Sequence, residues 1–208
     1  MISAAKALER LRDGNRRFVS REPGGDGNQN RSPGPWLSGR QEPFAIVLGC
    51  SDSRVPMEII FDQGLGDLFV VRVAGNIVAP PILGSIEFAA QEFGTRLVVV
   101  LGHTECGAVL ASLETIERPG KKPSPNLQSI IDRVSPAVAE SVKHGRDLEP
   151  DDLVRDAIRR NVRASAAQIR HDSRVIAGLI ETGGLRIVGA EYSIDTGEVQ
   201  FFNEAGIK

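Results

Sequence analysis

The sequence predicts an α/β protein with a mostly parallel central β-sheet flanked by helices, an N-terminal helical arm and a C-terminal β-hairpin. Three apolar runs, at residues 44–48, 68–73 and 97–101, have the length and composition of buried strands. We expect Gly49 to end the first run and let the backbone turn, and Gly102 to stop the third. Stretches of helical length separate the runs, and this alternation is typical of a parallel sheet covered by helices.

The length and composition of the chain favour a single domain. At 208 residues the chain can bury about 70% of its unfolded surface, so no metal is needed merely to hold a core together. The 25 basic and 27 acidic residues nearly balance and form no block of like charge, which argues against nucleic-acid binding. The sequence contains no signal-peptide pattern and no apolar run of about 18 residues, so we expect a cytoplasmic protein without membrane contacts.

The first 40 residues are predicted to form a helix and an extended arm that belong to the same domain as residues 41–208. An apolar stripe over residues 3–18 indicates an amphipathic helix, and Ser3 is placed to cap it. Residues 21–39 are rich in Gly, Pro, Asn and Ser, which favours an extended crossing. A helix on such an arm could pack on a neighbouring subunit.

The remaining elements follow from the same patterns. Helices are predicted at residues 55–61, 85–93 (with Ser85 as its cap), 108–116, 130–143, 151–171 and 174–181. Residues 118–125 are predicted to form a loop, because Pro and Gly disfavour regular structure there. Residues 185–192 and 198–202 flank a D-T-G turn and are predicted to close the chain as a β-hairpin.

Potential metal ligands follow two of the strands. Cys50 comes directly after the first run, and His103 and Cys106 follow the third. Two thiolates and one imidazole are ligands that zinc takes, and a catalytic zinc keeps its fourth position open. The alternative is that both cysteines are small core residues and that His103 is a satisfied strand-end histidine. The His-x-x-Cys spacing and the charged cluster after Cys50 favour the metal.

Asp52 and Arg54 supply that charged cluster. In an extended turn both side chains point to the same side as Cys50. Asp52 could accept a hydrogen bond from a metal-bound water, or it could displace that water as an alternative fourth ligand. A bidentate pair with Arg54 would hold Asp52 off the metal. The simpler alternative is a solvated surface ion pair.

These motifs resemble the signatures of the β-class carbonic anhydrases. C-S-D-S-R-V at residues 50–55, G-H-T-E-C-G at residues 102–107 and D-G-N-R-R-F at residues 13–18 carry the resemblance, which extends over nearly the whole chain. It implies reversible hydration of CO2 to bicarbonate and a proton. It further implies one Zn²⁺ per chain on Cys50, His103 and Cys106, with zinc-bound hydroxide attacking CO2 and Asp52 and Arg54 as catalytic residues. The basic unit would be a homodimer or a dimer of dimers, with residues 41–208 as the zinc-binding catalytic domain.

The resemblance also implies a substrate pocket. It assigns Phe69, Ala74 and Phe88 to the walls, and Gln41 as an amide donor to bound substrate. A second branch of the family closes its zinc with the aspartate and has Trp where this chain has Val47. Gln41 and Val47 therefore favour an open site at neutral pH, with water in the fourth position.

Two other functions remain open at this point. A hydrolase of CS2 or COS in the same family would use the same ligands and differ in access to the pocket. A non-catalytic zinc-binding or thiol-sensing module would not need Asp52, Arg54 and Gln41 together.

Overall fold

The computed structural model describes residues 2–20, 39, 41–118, 123–145 and 147–202. In these ranges the chain forms, in order, α1 (Ala4–Val19), β1 (Ala45–Gly49), α2 (Met57–Ile60), β2 (Leu68–Arg72), α3 (Pro80–Glu92), β3 (Leu97–His103), α4 (Gly107–Glu117), α5 (Pro125–His144), α6 (Pro150–Asp172), α7 (Arg174–Thr182), β4 (Arg186–Tyr192) and β5 (Val199–Phe201). Among the described helices, none is long and apolar enough to cross a bilayer.

The five strands form one sheet in the order β2-β1-β3-β4-β5. The first four are parallel, and β5 runs antiparallel to β4 as the predicted closing hairpin. Every residue of β1 and of β3 is buried, as expected for parallel strands covered on both faces. Gly49 of β1 pairs with Leu101 of β3, so the carboxyl ends of these two strands are neighbours. The predicted fold class is confirmed.

Helix α1 packs on its own sheet. Ser3 caps it, since the Ser3 side chain accepts a hydrogen bond from the Lys6 amide at 3.4 Å. Ala4, Ala7 and Leu11 are buried in the core cluster that includes β1 and β3 residues. The apolar stripe is therefore satisfied within the chain. The predicted arm at residues 21–39 lies, except for Gly39, outside the described residues, and contact with a partner subunit stays a prediction.

The start of α3 differs from the prediction. The helix begins at Pro80, five residues before Ser85, and Ser85 donates from its hydroxyl to the Pro81 carbonyl at 2.8 Å inside the helix. Proline suits the first turn of a helix because its fixed φ is already helical and its missing N–H would have no partner there. The two prolines therefore start the helix, and Ser85 does not cap it.

Of the two strand-end glycines, only Gly49 ends its strand as predicted, and both lie where a helix packs closely on the sheet. Gly102 does not stop β3, which continues to His103, and Gly49 is the last residue of β1 without a positive φ. A Cβ on Gly49 would lie 2.0 Å from Cε of Met57, and one on Gly102 would lie 2.6 Å from Cγ2 of Val162. Glycine therefore allows α2 and α6 to pack closely at these positions, against the flexible tip of Met57 at Gly49 and against the branched Val162 at Gly102.

Candidate metal centre

Three potential metal ligands meet at the carboxyl ends of β1 and β3. Cys50 is the first residue after β1, His103 is the last residue of β3, and Cys106 directly precedes α4. All three are buried, and their ligand atoms lie within 4.8 Å of one another. Among the described residues Asp52 does not belong to this group. The neighbouring ends of β1 and β3 are what bring together residues more than 50 positions apart in the chain.

The imidazole of His103 is oriented for a metal. Its Nδ1 lies 2.8 Å from the Thr104 carbonyl oxygen, and because a carbonyl only accepts, Nδ1 carries the proton. The other nitrogen, Nε2, then has a free lone pair, and it is buried without a hydrogen-bond partner in the described part of the chain. A buried acceptor of this kind is costly unless something binds it. A metal ion at Nε2 would satisfy it, with the Nδ1 hydrogen bond fixing the ring.

The two thiols also fit a cation. Both cysteines are free, and the Gly75 amide donates to Sγ of Cys50 at 3.4 Å. A hydrogen bond from Cys106, working against burial, lowers the pKa of Cys50 to about 4, and the same contact raises the pKa of Cys106. The pair therefore holds one negative charge readily, and a divalent cation would stabilise the second thiolate. The donor set, two sulfurs and one imidazole nitrogen, is one that zinc takes.

Arg54 binds Asp52 in the bidentate manner that the sequence suggested. Arg54 Nε donates to Asp52 Oδ1 at 3.1 Å, Nη2 donates to Oδ2 at 3.0 Å, and the Arg54 backbone amide donates to Oδ1 at 2.9 Å. The hydrogen bond from the Arg54 side chain, acting against partial burial, lowers the pKa of Asp52 to about 2. Asp52 is thus a carboxylate at neutral pH, and both of its oxygens accept from Arg54.

Three further hydrogen bonds fix this loop. Arg72, at the end of β2, donates from Nε to the Cys50 carbonyl at 3.0 Å and from Nη2 to the Asp52 carbonyl at 2.6 Å. Arg54 donates from Nη1 to Oε2 of Glu105 at 2.7 Å. Asp52, Arg54 and Glu105 are called the Arg54 cluster below. Sequence reasoning missed Glu105, although an acidic residue between two potential ligands, in H-T-E-C, was a signal.

The predicted pocket residues are only partly brought together. Ala74 begins a short 3₁₀ turn whose next residue, Gly75, contacts Cys50, so it lies beside the centre. Phe69 pairs with Ile46, four residues before Cys50, which puts it about 13 Å back along the sheet.

Phe88 and Gln41 are also remote from the centre of their own chain. Phe88 of α3 packs on Phe69, with ring centroids 6.4 Å apart, and is half-exposed. Gln41 is exposed and precedes β1, whereas Cys50 follows that strand, which is about 16 Å long. Ala74 is thus the one predicted pocket residue that lies beside the three ligands within this chain.

A second cluster of charges lies on the neighbouring strand. Glu191 of β4 is buried and pairs with Gly102 of β3. Its Oε2 accepts from Arg159 Nε at 2.7 Å and from Arg155 Nε at 3.5 Å, and Arg159 also donates to Gln200. Glu191, Arg155 and Arg159 are called the Glu191 cluster. The signal in the sequence was a glutamate inside an apolar strand, which was not singled out.

Comparison with known proteins shows that this chain is similar to carbonic anhydrases. A family model described as carbonic anhydrase matches residues 45–199. A carbonic anhydrase of Mycolicibacterium smegmatis is 39% identical over 202 residues, which cover 96% of this chain and 94% of that protein. Carbonic anhydrase 2 of Mycobacterium tuberculosis is 38% identical over 200 residues, which cover 96% and 93%.

Solved structures of β-carbonic anhydrases are also similar to this chain. The β-carbonic anhydrase CcaA superposes with a TM-score of 0.77 at 26% identity, covering 98% of this chain and 91% of that one. A structure reported for two tetrameric β-carbonic anhydrases of Sordaria macrospora gives a TM-score of 0.74 at 25% identity, covering 81% and 85%.

Proposed function

The chain belongs to the β-class carbonic anhydrases, and from this membership we propose how its own residues carry out reversible hydration of CO2 to bicarbonate and a proton. The protein is a carbonic anhydrase lyase that uses zinc. The observation that supports the site best is the bidentate Arg54–Asp52 pair next to a buried Cys-His-Cys group.

In this proposal Cys50, His103 and Cys106 hold one zinc ion through the two sulfurs and Nε2. Their burial, their mutual distances and the unpartnered Nε2 support the assignment. When bound, the ion supplies the Lewis acidity that lets water lose a proton near neutral pH. Three protein ligands leave the fourth position to water, and the absence of Asp52 from the described ligand group supports an open site.

Asp52 acts as the hydrogen-bond acceptor that orients the attacking water. Both of its oxygens are already bound by Arg54, so its orientation is set before substrate arrives. A carboxylate oxygen has two lone pairs; Oδ1 of Asp52 already accepts two hydrogen bonds from Arg54, whereas Oδ2 accepts one and can therefore accept another from the water. Arg54 keeps the carboxylate in place and away from the metal position, and Arg72 holds the backbone of the same loop through two carbonyls.

The substrate pocket is proposed to be shared between two copies of the chain. Gln41, Phe69 and Phe88 are too far from Cys50 of their own chain to touch a substrate there, yet the family resemblance assigns them to the pocket. Phe88 is half-exposed, and β2 is an edge strand of the described sheet, so this side is accessible to a second copy. The tetrameric relatives from Sordaria macrospora support self-association, and we propose a homodimer or a dimer of dimers.

A stopped-flow CO2 hydration assay combined with zinc analysis tests the reaction. We expect one zinc per chain and zinc-dependent hydration, with activity strongly reduced in Asp52→Asn because an amide is a weaker acceptor than a carboxylate. Asp151→Asn, which changes an exposed carboxylate at the start of α6, is the control and should keep full activity. Turnover of CS2 without turnover of CO2 would contradict the proposal.

Sedimentation velocity tests the shared pocket. The expected result is a dimer or larger even-numbered species whose activity per chain falls when dilution separates the copies. Phe88→Asp should weaken the assembly and the activity together. A fully active monomer at micromolar concentration would contradict this part of the proposal.

A further inference from the structure

The guanidinium of Arg54 is bound from two sides, and only one of these sides belongs to the proposed catalytic pair. We infer that Glu105 is a positioning residue, which holds Arg54 in the orientation that presents Asp52 correctly and keeps it away from the metal position. The inference rests on the proposed function of Asp52 and Arg54. It adds a third member, contributed by the loop after β3, to a pair that comes from the loop after β1.

The geometry divides the guanidinium between the two carboxylates. Asp52 takes Nε and Nη2, which form one edge of the planar group, at 3.1 and 3.0 Å. Glu105 takes Nη1, the remaining nitrogen, at the shorter distance of 2.7 Å. A guanidinium bound along one edge can still swing with its long side chain, whereas contacts to all three nitrogens fix both its plane and its position.

The backbone at Glu105 indicates that the side chain has a purpose. Its φ is +58°, in the left-handed region that glycine adopts freely and that glutamate rarely adopts. The residue lies between His103 and Cys106, where a tight turn brings both ligands to one centre. Glycine would make this turn without strain, so the backbone does not explain a glutamate here. The contact with Arg54 does.

Exposure indicates that the contact serves orientation more than stability. The Arg54 side chain is 45% exposed and the Glu105 side chain is 58% exposed. Ion pairs that are this exposed contribute little to folding, because water solvates both groups when the pair is broken. Loss of Glu105 should therefore leave the protein folded and its zinc bound while Arg54 becomes more mobile.

A double-mutant cycle tests whether Glu105 acts through Arg54. Glu105→Gln should lower kcat about tenfold, the effect of one charge-assisted hydrogen bond, with KM unchanged because Glu105 does not touch CO2. In an Arg54→Ala background the same substitution should have no effect. Glu105→Gly should lower kcat as much as Glu105→Gln does while it relieves the backbone strain and raises thermal stability. Glu105→Asp keeps a carboxylate on a shorter side chain, so its kcat should lie between those of Glu105→Gln and the wild type.

A second measurement does not depend on activity. In protein labelled with ¹⁵N-arginine, the Nε–Hε signal of Arg54 should show slow rotation of the guanidinium in the wild type and faster rotation in Glu105→Gln. Glu114→Gln, an exposed glutamate on α4, is the matched control for both experiments and should change neither readout.

The outcomes distinguish a failure of the proposed CO2 hydration from a failure of the role inferred for Glu105. A wild type without CO2 hydration would contradict the proposed function, while the NMR comparison would still test the contact. A tenfold loss that persists in the Arg54→Ala background, or an Arg54 signal that Glu105→Gln leaves unchanged, would overturn the role of Glu105.

Discussion

The Arg54 cluster and the Glu191 cluster lie at the same edge of the sheet and have opposite designs. In the first, one exposed arginine is shared by two carboxylates from different loops. In the second, one buried carboxylate is shared by two arginines of a single helix, α6. Glu191 is 3% exposed, whereas Arg54 is 45% exposed.

The difference in exposure predicts that the Glu191 cluster contributes to folding stability and that the Arg54 cluster contributes to the reaction. A buried carboxylate that loses its partner cannot be solvated, so breaking the Glu191 cluster should cost folding free energy. The groups of the Arg54 cluster stay more accessible, 45% for Arg54, 58% for Glu105 and 18% for Asp52, so water can solvate whichever groups remain and breaking this cluster should cost less stability. Because the Arg54 cluster borders the proposed zinc site, its loss should instead appear in the reaction rate.

The largest effect is expected from the ligands next to the Arg54 cluster. Cys106→Ala removes one thiolate, and with two remaining ligands the protein should lose its zinc and, with it, all measurable hydration. Metal analysis and stopped-flow assays check this result. As a control, wild type stripped by a chelator should recover when zinc is added, and the variant should not. Full activity in a metal-free variant would contradict the assignment of the site.

Arg54→Ala should come next in size. The substitution frees Asp52 to move toward the metal position, so activity should fall by orders of magnitude although zinc stays bound and the melting temperature changes little. Arg133→Ala, an exposed arginine on α5, is the matched control. If Arg54→Ala destabilised the fold as much as a buried-pair variant, the contrast between the clusters would be lost.

Arg159→Ala tests the other cluster. It leaves the buried Glu191 carboxylate with Arg155 alone, 3.5 Å away, and should lower the free energy of unfolding by about 3 kcal/mol. Urea unfolding at fixed protein and zinc concentration measures the change.

Arg155→Ala is the control within the same cluster. The Arg155 side chain is 55% exposed, against 26% for Arg159, so its loss should cost less than about 1 kcal/mol. The rate of hydration by folded protein should stay near wild type in both variants. Equal losses of stability would mean that burial is not what separates the two arginines.

The smallest effect is expected at an ion pair within α6. Arg160 donates to Asp156 at 2.6 Å. Burial alone would raise the pKa of Asp156, but donors led by Arg160 outweigh it and lower the pKa. A lowered folded-state pKa stabilises the protein above the unfolded value of about 4, and this contribution disappears as the pH falls through the folded-state value. Asp156→Asn should therefore cost about 0.5 kcal/mol at pH 7, and the difference should vanish in acid. A difference that grew toward low pH would contradict the sign.

Periodicity and turn residues were enough to predict most of the fold. Helix α1 and its Ser3 cap, the three parallel core strands and the closing hairpin all appear in the sequence as local patterns, because each depends on residues near one another in the chain. The start of α3 was misjudged because two capping rules competed, and proline at the first turn outweighed a serine five residues later.

Only part of the site was predictable, namely the residues that can be recognised from their own type and position in the sequence. Cys50, His103 and Cys106 stand out by residue type and by their place at strand ends. The Arg54–Glu105 contact joins residues 51 positions apart, and the shared role of Arg155 and Arg159 depends on which face of α6 meets β4. Such pairings are set by packing between elements, which a single sequence does not reveal. Pocket residues that a second copy contributes would be harder still to predict, because no pattern within one chain shows which residues of another copy will lie near its metal centre.

The two glycines at the ends of β1 and β3 should tolerate substitution to different degrees. A Cβ at Gly49 would collide with the tip of Met57, an unbranched side chain that a shorter residue could replace. A Cβ at Gly102 would collide with Val162 and come within 3.2 Å of Ile158, two branched and stiff side chains of α6. Among descendants of this chain, alanine should therefore be found at position 49 together with a change at Met57. Position 102 should stay glycine for as long as α6 keeps its present partners.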